Sequence, residues 1–214
     1  IMADLELGAP QVEALTDLGV VLENATDYDR ALEQFQSAAA LSRDMDKDEL
    51  LARQHMRMGR IYDMRLSRYA GAKQHYMAAY DLYEALEQKA WMAQALLDTG
   101  RCDRLLGNFG DASNRYQKAL ALLEPGEADQ RIRANIRMEQ ANNDWFQARY
   151  QDAFEGQREV LVKARENQWD LEQVNALNTA GLIWWTLGDH DRALRELADA
   201  LKLAKKLKAR VKAI

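Results

Sequence analysis

The sequence predicts an all-α array of five helix–turn–helix units, ten antiparallel helices in a single solenoid domain over residues 1–214. Two periodic markers and one recurring turn predict it. Gly19, Gly59, Gly100, Ala141 and Gly181 stand 40, 41, 41 and 40 residues apart, each a small residue within a helical pattern. Ala31, Ala72, Ala112, Ala153 and Ala193 stand 41, 40, 41 and 40 apart. Before each of these alanines lies a short polar turn with a ring at one place: "TDYDRA", "SRYAGA", "GNFGDA", "ARYQDA" and "GDHDRA". Two markers sharing one period mark a repeat architecture, in which each unit buries its apolar face only against its neighbours.

The units run approximately over 11–47, 48–88, 89–127, 128–169 and 170–214. In each, the first helix spaces apolar residues three or four apart around the small residue, as in Leu15, Leu18 and Leu22 or Leu177, Ala180 and Trp184. That spacing makes one helical stripe. Glycine inside a helix costs about 1 kcal/mol relative to alanine, so its recurrence points to close approach of a second helix. The second helix alternates small and large residues: Ala31, Phe35, Ala38; Ala72, Tyr76, Ala79; Ala112, Tyr116, Ala119; Ala193, Leu197, Ala200. Such stripes interlock with a neighbour. Leucine at Gly59 or Gly100 is therefore expected to overpack a helix contact.

Composition agrees. Apolar residues are 48% and charged residues 29%, which suits a folded helical chain, and Pro10 and Pro125 are the two prolines. The net charge of −5 argues against nucleic acid as partner, since its binders carry a basic face. One cysteine, Cys102, excludes an intramolecular disulfide framework. No run is long and apolar enough for a membrane span, and "IMADLELGAP" lacks the basic and apolar regions of a signal peptide. A cytoplasmic location is the default expectation. The Ile ahead of Met2 suggests that residue 1 is not a natural start.

A small residue at position eight of the unit, Ala at twenty, an aromatic at twenty-four and Ala at twenty-seven resemble the tetratricopeptide repeat, over residues 11 to 204. The usual unit of that family has about 34 residues; here the surplus falls at the end of the second helix, as in "LSRDMDKDELLARQ". The longer form is similar to repeats of kinesin light chains, spindle-orientation scaffolds and bacterial regulators of the maltose-activator kind. The fourth unit departs most, with Ala141 in place of Gly and Gln157 in place of the aromatic. The resemblance implies a right-handed superhelix, no catalytic activity and no cofactor. It also implies a peptide or helix of a partner protein held in the concave groove.

In that family, positions two, five, nine and twelve of the first helix face the groove. Read onto this chain, they place Arg53, Arg60, Arg101 and Arg104 at its centre. Asn135, Asn142, Asn175 and Asn178 then follow, with Trp145 and Trp185 at one position in adjacent units. Arginine forks suit carboxylates, and Asn both donates to and accepts from a peptide backbone. The expected ligand is a protein or peptide with acidic residues. The charged clamp of chaperone-tail-binding members is not matched: the first window reads Thr16 and Val20, then Arg57, then Gln94 and Asp98.

Catalytic and metal chemistry finds no pattern. His55, His75 and His190 lack ligand spacing, and Cys102 follows Arg101 without a general base in view. His55, on an apolar stripe, reads as a packed neutral ring, and Cys102 as a buried thiol. Asp46 and Asp48 lack the glycine and spacing of a calcium loop. The basic end "LKLAKKLKARVKAI" continues the last helix, its cations complementing the helix dipole. No polar capping helix follows it, so self-capping, a homo-oligomer through uncapped ends, or continuation in a longer protein is expected. Two functions compete: a peptide-binding scaffold, and the sensing or oligomerising array of a larger bacterial signalling or transcription regulator.

Overall fold

A computed structural model describes residues 2–124, 126 and 129–211, with side chains from residue 8 to residue 208 of that range. Its contacts gather into two compact units, Ile1–Leu123 and Glu124–Ile214, where the sequence reading has a single domain. The first holds α1 (Met2–Asn24), α2 (Tyr28–Asp44), α3 (Asp48–Arg60), α4 (Tyr69–Ala85), α5 (Lys89–Leu105) and α6 (Phe109–Leu122). The second holds α7 (Gln130–Phe146), α8 (Tyr150–Glu166), α9 (Asp170–Thr186) and α10 (His190–Val211). Among the described residues there are ten helices and no strand, three helix–turn–helix pairs in the first unit and two in the second. Helix α1 begins well ahead of residue 11 and runs through Pro10, which forfeits one helical hydrogen bond. The last residues of the basic stretch, 212–214, lie outside the described residues.

The helix–helix turns other than the link after α6 share a left-handed residue. Thr26, Asp46, Ser67, Glu87, Gly107, Ala148, Gln168 and Gly188 all take the left-handed conformation. At Thr26 the amide bonds Glu23 O at 3.0 Å and that of Asp27 bonds Leu22 O at 2.9 Å. These two bonds form a Schellman cap, which satisfies the last carbonyls of the helix and reverses the chain in three residues. The Gly107 and Gly188 turns repeat it. The link after α6 differs, because Leu123 is extended (φ −91°, ψ 131°) and the sequence continues with Pro125, which cannot prolong a helix.

The second-helix stripes are buried as expected. Ala31, Phe35 and Ala38 in α2, Ala72, Tyr76 and Ala79 in α4, and Ala112, Tyr116 and Ala119 in α6 are all enclosed. The small residues of the first helices meet them. A Cβ on Gly19, Gly59 or Gly100 would stand 2.6, 2.6 or 2.5 Å from the ring of Phe35, Tyr76 or Tyr116. In the fourth pair the small residue has crossed to the other helix. Ala141 stands on α7, and a Cβ on Gly156 of α8 would meet the Ala141 methyl at 2.7 Å. Beside it, Gln157 is buried where the first three units have a ring, and its amide donates to Asn142 Oδ1 at 2.9 Å.

One unit carries an extra residue. Gly59 and Ala72 are 13 apart, whereas Gly19 and Ala31, Gly100 and Ala112, and Gly181 and Ala193 are 12 apart. The surplus is absorbed by a π-helical turn, Ile61–Arg65, at the end of α3, closed by Leu66 N donating to Ile61 O at 3.1 Å.

Candidate peptide-binding cleft

The first unit holds a cleft of ≈ 560 Å³ between α3 and α5, backed by α4. Helix α3 and its π turn supply Arg53, Met56, Arg57, Arg60 and Met64; α5 supplies Trp91, Gln94, Asp98 and Arg101; Tyr76 and Tyr83 come from α4. Trp91 is exposed and stacks on Tyr83 with ring centroids 5.7 Å apart. The floor is thus aromatic and the walls are cationic.

The arginines divide into two kinds. Arg60 donates to Glu23 on α1 at 3.2 Å, and Glu23 is buried. Arg101 holds buried Asp63 on the π turn through Nε at 3.0 Å and through Nη2, and it also reaches Asp98 at 3.1 Å. Each arginine follows the glycine of its unit by one residue, and each acid follows the glycine of the preceding unit by four. The pairs therefore form a ladder that ties successive first helices. Arg53 bonds Glu49 one turn away at 2.5 Å, in the open.

Arg57 belongs to neither kind. It lies half-buried in the cleft wall, with its guanidinium carbon 5.7 Å from the Phe35 ring centroid. It makes no hydrogen bond or ion pair among the described residues. Burial first, then the charge of Arg60, lowers its pKa from the ordinary arginine value, against a smaller pull from Glu23 and Asp17. A cation so placed gains when an anion reaches it. Sequence reading passed over Arg57 because its register, two before the glycine, lies between the positions assigned to the groove.

The other expected site residues are dispersed. Arg104 is 8% exposed and is not among the residues lining this cleft, so an open groove position does not describe it. One turn beyond Arg101 on the same face of α5, it is enclosed by packing rather than open to a ligand. Asn135, Asn142 and Trp145 lie half-buried on α7, where Asn142 is engaged by Gln157 and Trp145 packs on Phe146 at 5.1 Å. Asn175 and Asn178 are exposed on α9, and Trp185 is 56% exposed beside His190, 4.5 Å between ring centroids. A second cleft, ≈ 850 Å³ over α7 and α8, contains none of these six. Its Arg137 is already held by Glu159 at 2.6 Å.

His55 and His75, read separately in the sequence, come together across α3 and α4 with Nδ1 atoms 3.1 Å apart, and Tyr62 stacks on His75. Their pairing depends on helix packing and leaves no trace in spacing along the chain. Among the described residues no three His, Cys, Asp or Glu side chains gather as a metal site requires. Cys102 is fully buried, and burial, followed by the charge of Asp63, pushes its thiol up to about 12. No described helix is long and apolar enough to cross a membrane.

Residues 50–124 match the profile of the tetratricopeptide repeat family. Over 63 residues the chain is 36% identical to response regulator aspartate phosphatase I of Bacillus subtilis (strain 168), a match covering 29% of this chain and 16% of that protein. Its fold is similar to the crystal structure of aspartyl phosphate phosphatase F from Bacillus subtilis, with a TM-score of 0.79 at 16% identity. That likeness covers 96% of this chain and 53% of the other. It is also similar to the Rap conjugation gene regulator of the plasmid pLS20, solved in complex with the Phr* peptide: TM-score 0.73, 15% identity, 92% of this chain and 54% of that one. The chain thus spans about half the length of these solved structures, and the likeness to them is one of fold.

Proposed function

Starting from a chain whose repeats are tetratricopeptide repeats, we propose that it binds a peptide or helix of a partner protein, seated in the cleft between α3 and α5. The observation that carries this reading is Arg57, a half-buried cation in the cleft wall that makes no ion pair among the described residues. A peptide carboxylate would supply one, and an apolar neighbour in the peptide would rest on Trp91 and Met64, both exposed. Aromatic and arginine anchors are the residue types enriched in binding hot spots. The peptide held by the pLS20 regulator supports the ligand class. In the second unit Asn175, Asn178 and Trp185 are proposed as a separate contact surface for a partner. The array itself catalyses nothing in this reading.

A second reading has one specific support. The similar proteins are named as a response regulator phosphatase and a gene regulator, and the solved ones are about twice as long as the matched region. This chain would then be the peptide-sensing array of a larger regulator, with the same cleft as its sensor.

Panning a displayed library of random peptides on the chain tests the cleft. Selected peptides should carry Asp or Glu next to an apolar residue. Arg57→Gln should weaken a selected peptide about tenfold, or about 1.4 kcal/mol, with the melting temperature nearly unchanged. Arg57→Lys should recover part of the loss. Equal binding by Arg57→Gln and wild type would remove the cleft from consideration, and a loss with Trp185→Ala would move the site to the second unit.

A further inference from the structure

One ring pair in the cleft is foreign to the repeat. Tyr83 lies eleven residues after the marker Ala72, and the same position is Ser42, Leu123, Ala164 and Ala204 in the other units. Trp91 lies nine residues before Gly100, where the other units have Pro10, Leu50, Ile132 and Glu172. No other unit carries an aromatic ring at either place, so the packing of successive pairs does not demand one here.

Tyr83 is 1% exposed, shares a buried cluster with Ala52, Ala79 and Met92, and lines the cleft. Its hydroxyl is buried as well and meets no hydrogen-bond partner among the described residues. A hydroxyl so placed has given up its hydration without replacement. At the same position Ser42 is also buried, but its hydroxyl donates to Ala38 O at 2.7 Å, one turn back. A tyrosine hydroxyl stands too far from its own backbone for that repair. Trp91, in the first turn of α5, is the exposed member of the stack and covers Tyr83 from the cleft side.

Tyr83 and Arg57 are spaced for one ligand. Ala52, in the cluster around Tyr83, precedes Arg57 by five residues of α3, about 7 Å along the helix axis. An extended peptide advances about 3.3 Å per residue and turns alternate side chains to one face. Two side chains two residues apart therefore reach both places. The apolar walls around the hydroxyl offer a charged group no solvation, so a neutral acceptor fits there. A carboxamide is neutral, flat enough to enter beneath an indole ring, and able to accept from the Tyr83 hydroxyl.

We propose that Tyr83 and Trp91 form a second subsite of the cleft, which takes an Asn or Gln side chain standing two residues from the carboxylate that meets Arg57. Trp91 closes this subsite in the free chain and turns outward to admit the amide, whose oxygen accepts from the Tyr83 hydroxyl. The inference rests on the peptide reading above and narrows its ligand to peptides with an amide and an acid two residues apart.

Panning random peptides on the full chain should return that spacing. For such a peptide, Tyr83→Phe should weaken binding about fivefold, the worth of one neutral hydrogen bond. Replacing the peptide's amide residue by Leu should weaken it similarly, and both changes together no more than either alone. Tyr83→Phe should also melt no lower than wild type, because the hydroxyl it removes has no partner in the free chain. A lower melting temperature, strictly additive losses, or equal binding by Tyr83→Phe and wild type overturns the proposal. Trp91→Ala should take up the peptide faster, its cover being gone; an unchanged or slower association overturns the closed state. Arg57→Gln separates the two readings. A loss with Arg57→Gln and none with Tyr83→Phe removes the second subsite alone, and no loss with either removes the whole cleft.

Discussion

Gly100 shows how close paired helices come in this chain. A methyl group there would stand 2.5 Å from Cε1 of Tyr116, whose ring is fully buried and cannot swing into solvent. Alanine gains about 1 kcal/mol of helix propensity over glycine, but overpacking a filled core costs about 1–3 kcal/mol. The clash should win. Gly100→Ala is expected to lose about 1 kcal/mol in urea unfolding, and Gly100→Leu more. An alanine variant as stable as wild type would show that the ring has room. The fourth pair reaches the same closeness by exchange, with Ala141 on one helix and Gly156 on the other. Ala141 is visible in the sequence as a departure. Its compensation is not, because Gly156 lies on the opposite helix and one residue off the ring position.

Between elements, ion pairs set the spacing of the first helices. Asp63 is buried and Arg101 is partly exposed, so the two partners are unequal. Removing Arg101 leaves the buried Asp63 carboxylate without its main cation and Asp98 close by; removing Asp63 leaves an arginine that water can reach. Arg101→Ala should therefore cost about 2–4 kcal/mol and Asp63→Ala clearly less. A double-mutant cycle should give a coupling of about 1–2 kcal/mol. Equal single costs with no coupling would mean that the ladder is ornamental. Arg101 looks like a ligand contact in the sequence and Arg57 does not. Only the packing, which brings Asp63 and Asp98 to Arg101 and leaves Arg57 without an ion pair, separates a structural arginine from a binding one.

Stability of the whole molecule should depend on the histidine pair. Burial first, then the nearby His75 and Arg43, lowers His55 from an ordinary 6.5 to about 4, and burial lowers His75 as well. No carboxylate appears among these causes to favour the charged rings. Between pH 6.5 and about 4 the unfolded chain takes up a proton at His55 that the folded chain refuses, so stability falls as pH drops through that window and is flat above it. Discounted for solvent around the half-buried rings, the loss from pH 7 to pH 5 is on the order of 1 kcal/mol. Urea midpoints of wild type and of His55→Gln measured across that range check it. The variant should be the flatter of the two. A wild-type midpoint that does not fall would show the pair to be freely solvated.

The sequence by itself determined the periodic features of this protein: five pairs of helices, their buried alanine and aromatic stripes, and the glycines that face them. These follow from spacing along a helix, which fixes which residues share a face. The surplus residue is present in the sequence, as 13 residues between Gly59 and Ala72 where the other glycine-marked units have 12, but its absorption in a π-helical turn is not. Tertiary structure alone decided what depends on two helices at once. It paired Arg60 with Glu23, Arg101 with Asp63 and His55 with His75, enclosed Arg104, and left Arg57 unpaired in a cleft. Charge and reach are properties of a residue type, but whether a charge is already neutralised is a property of its neighbours in space.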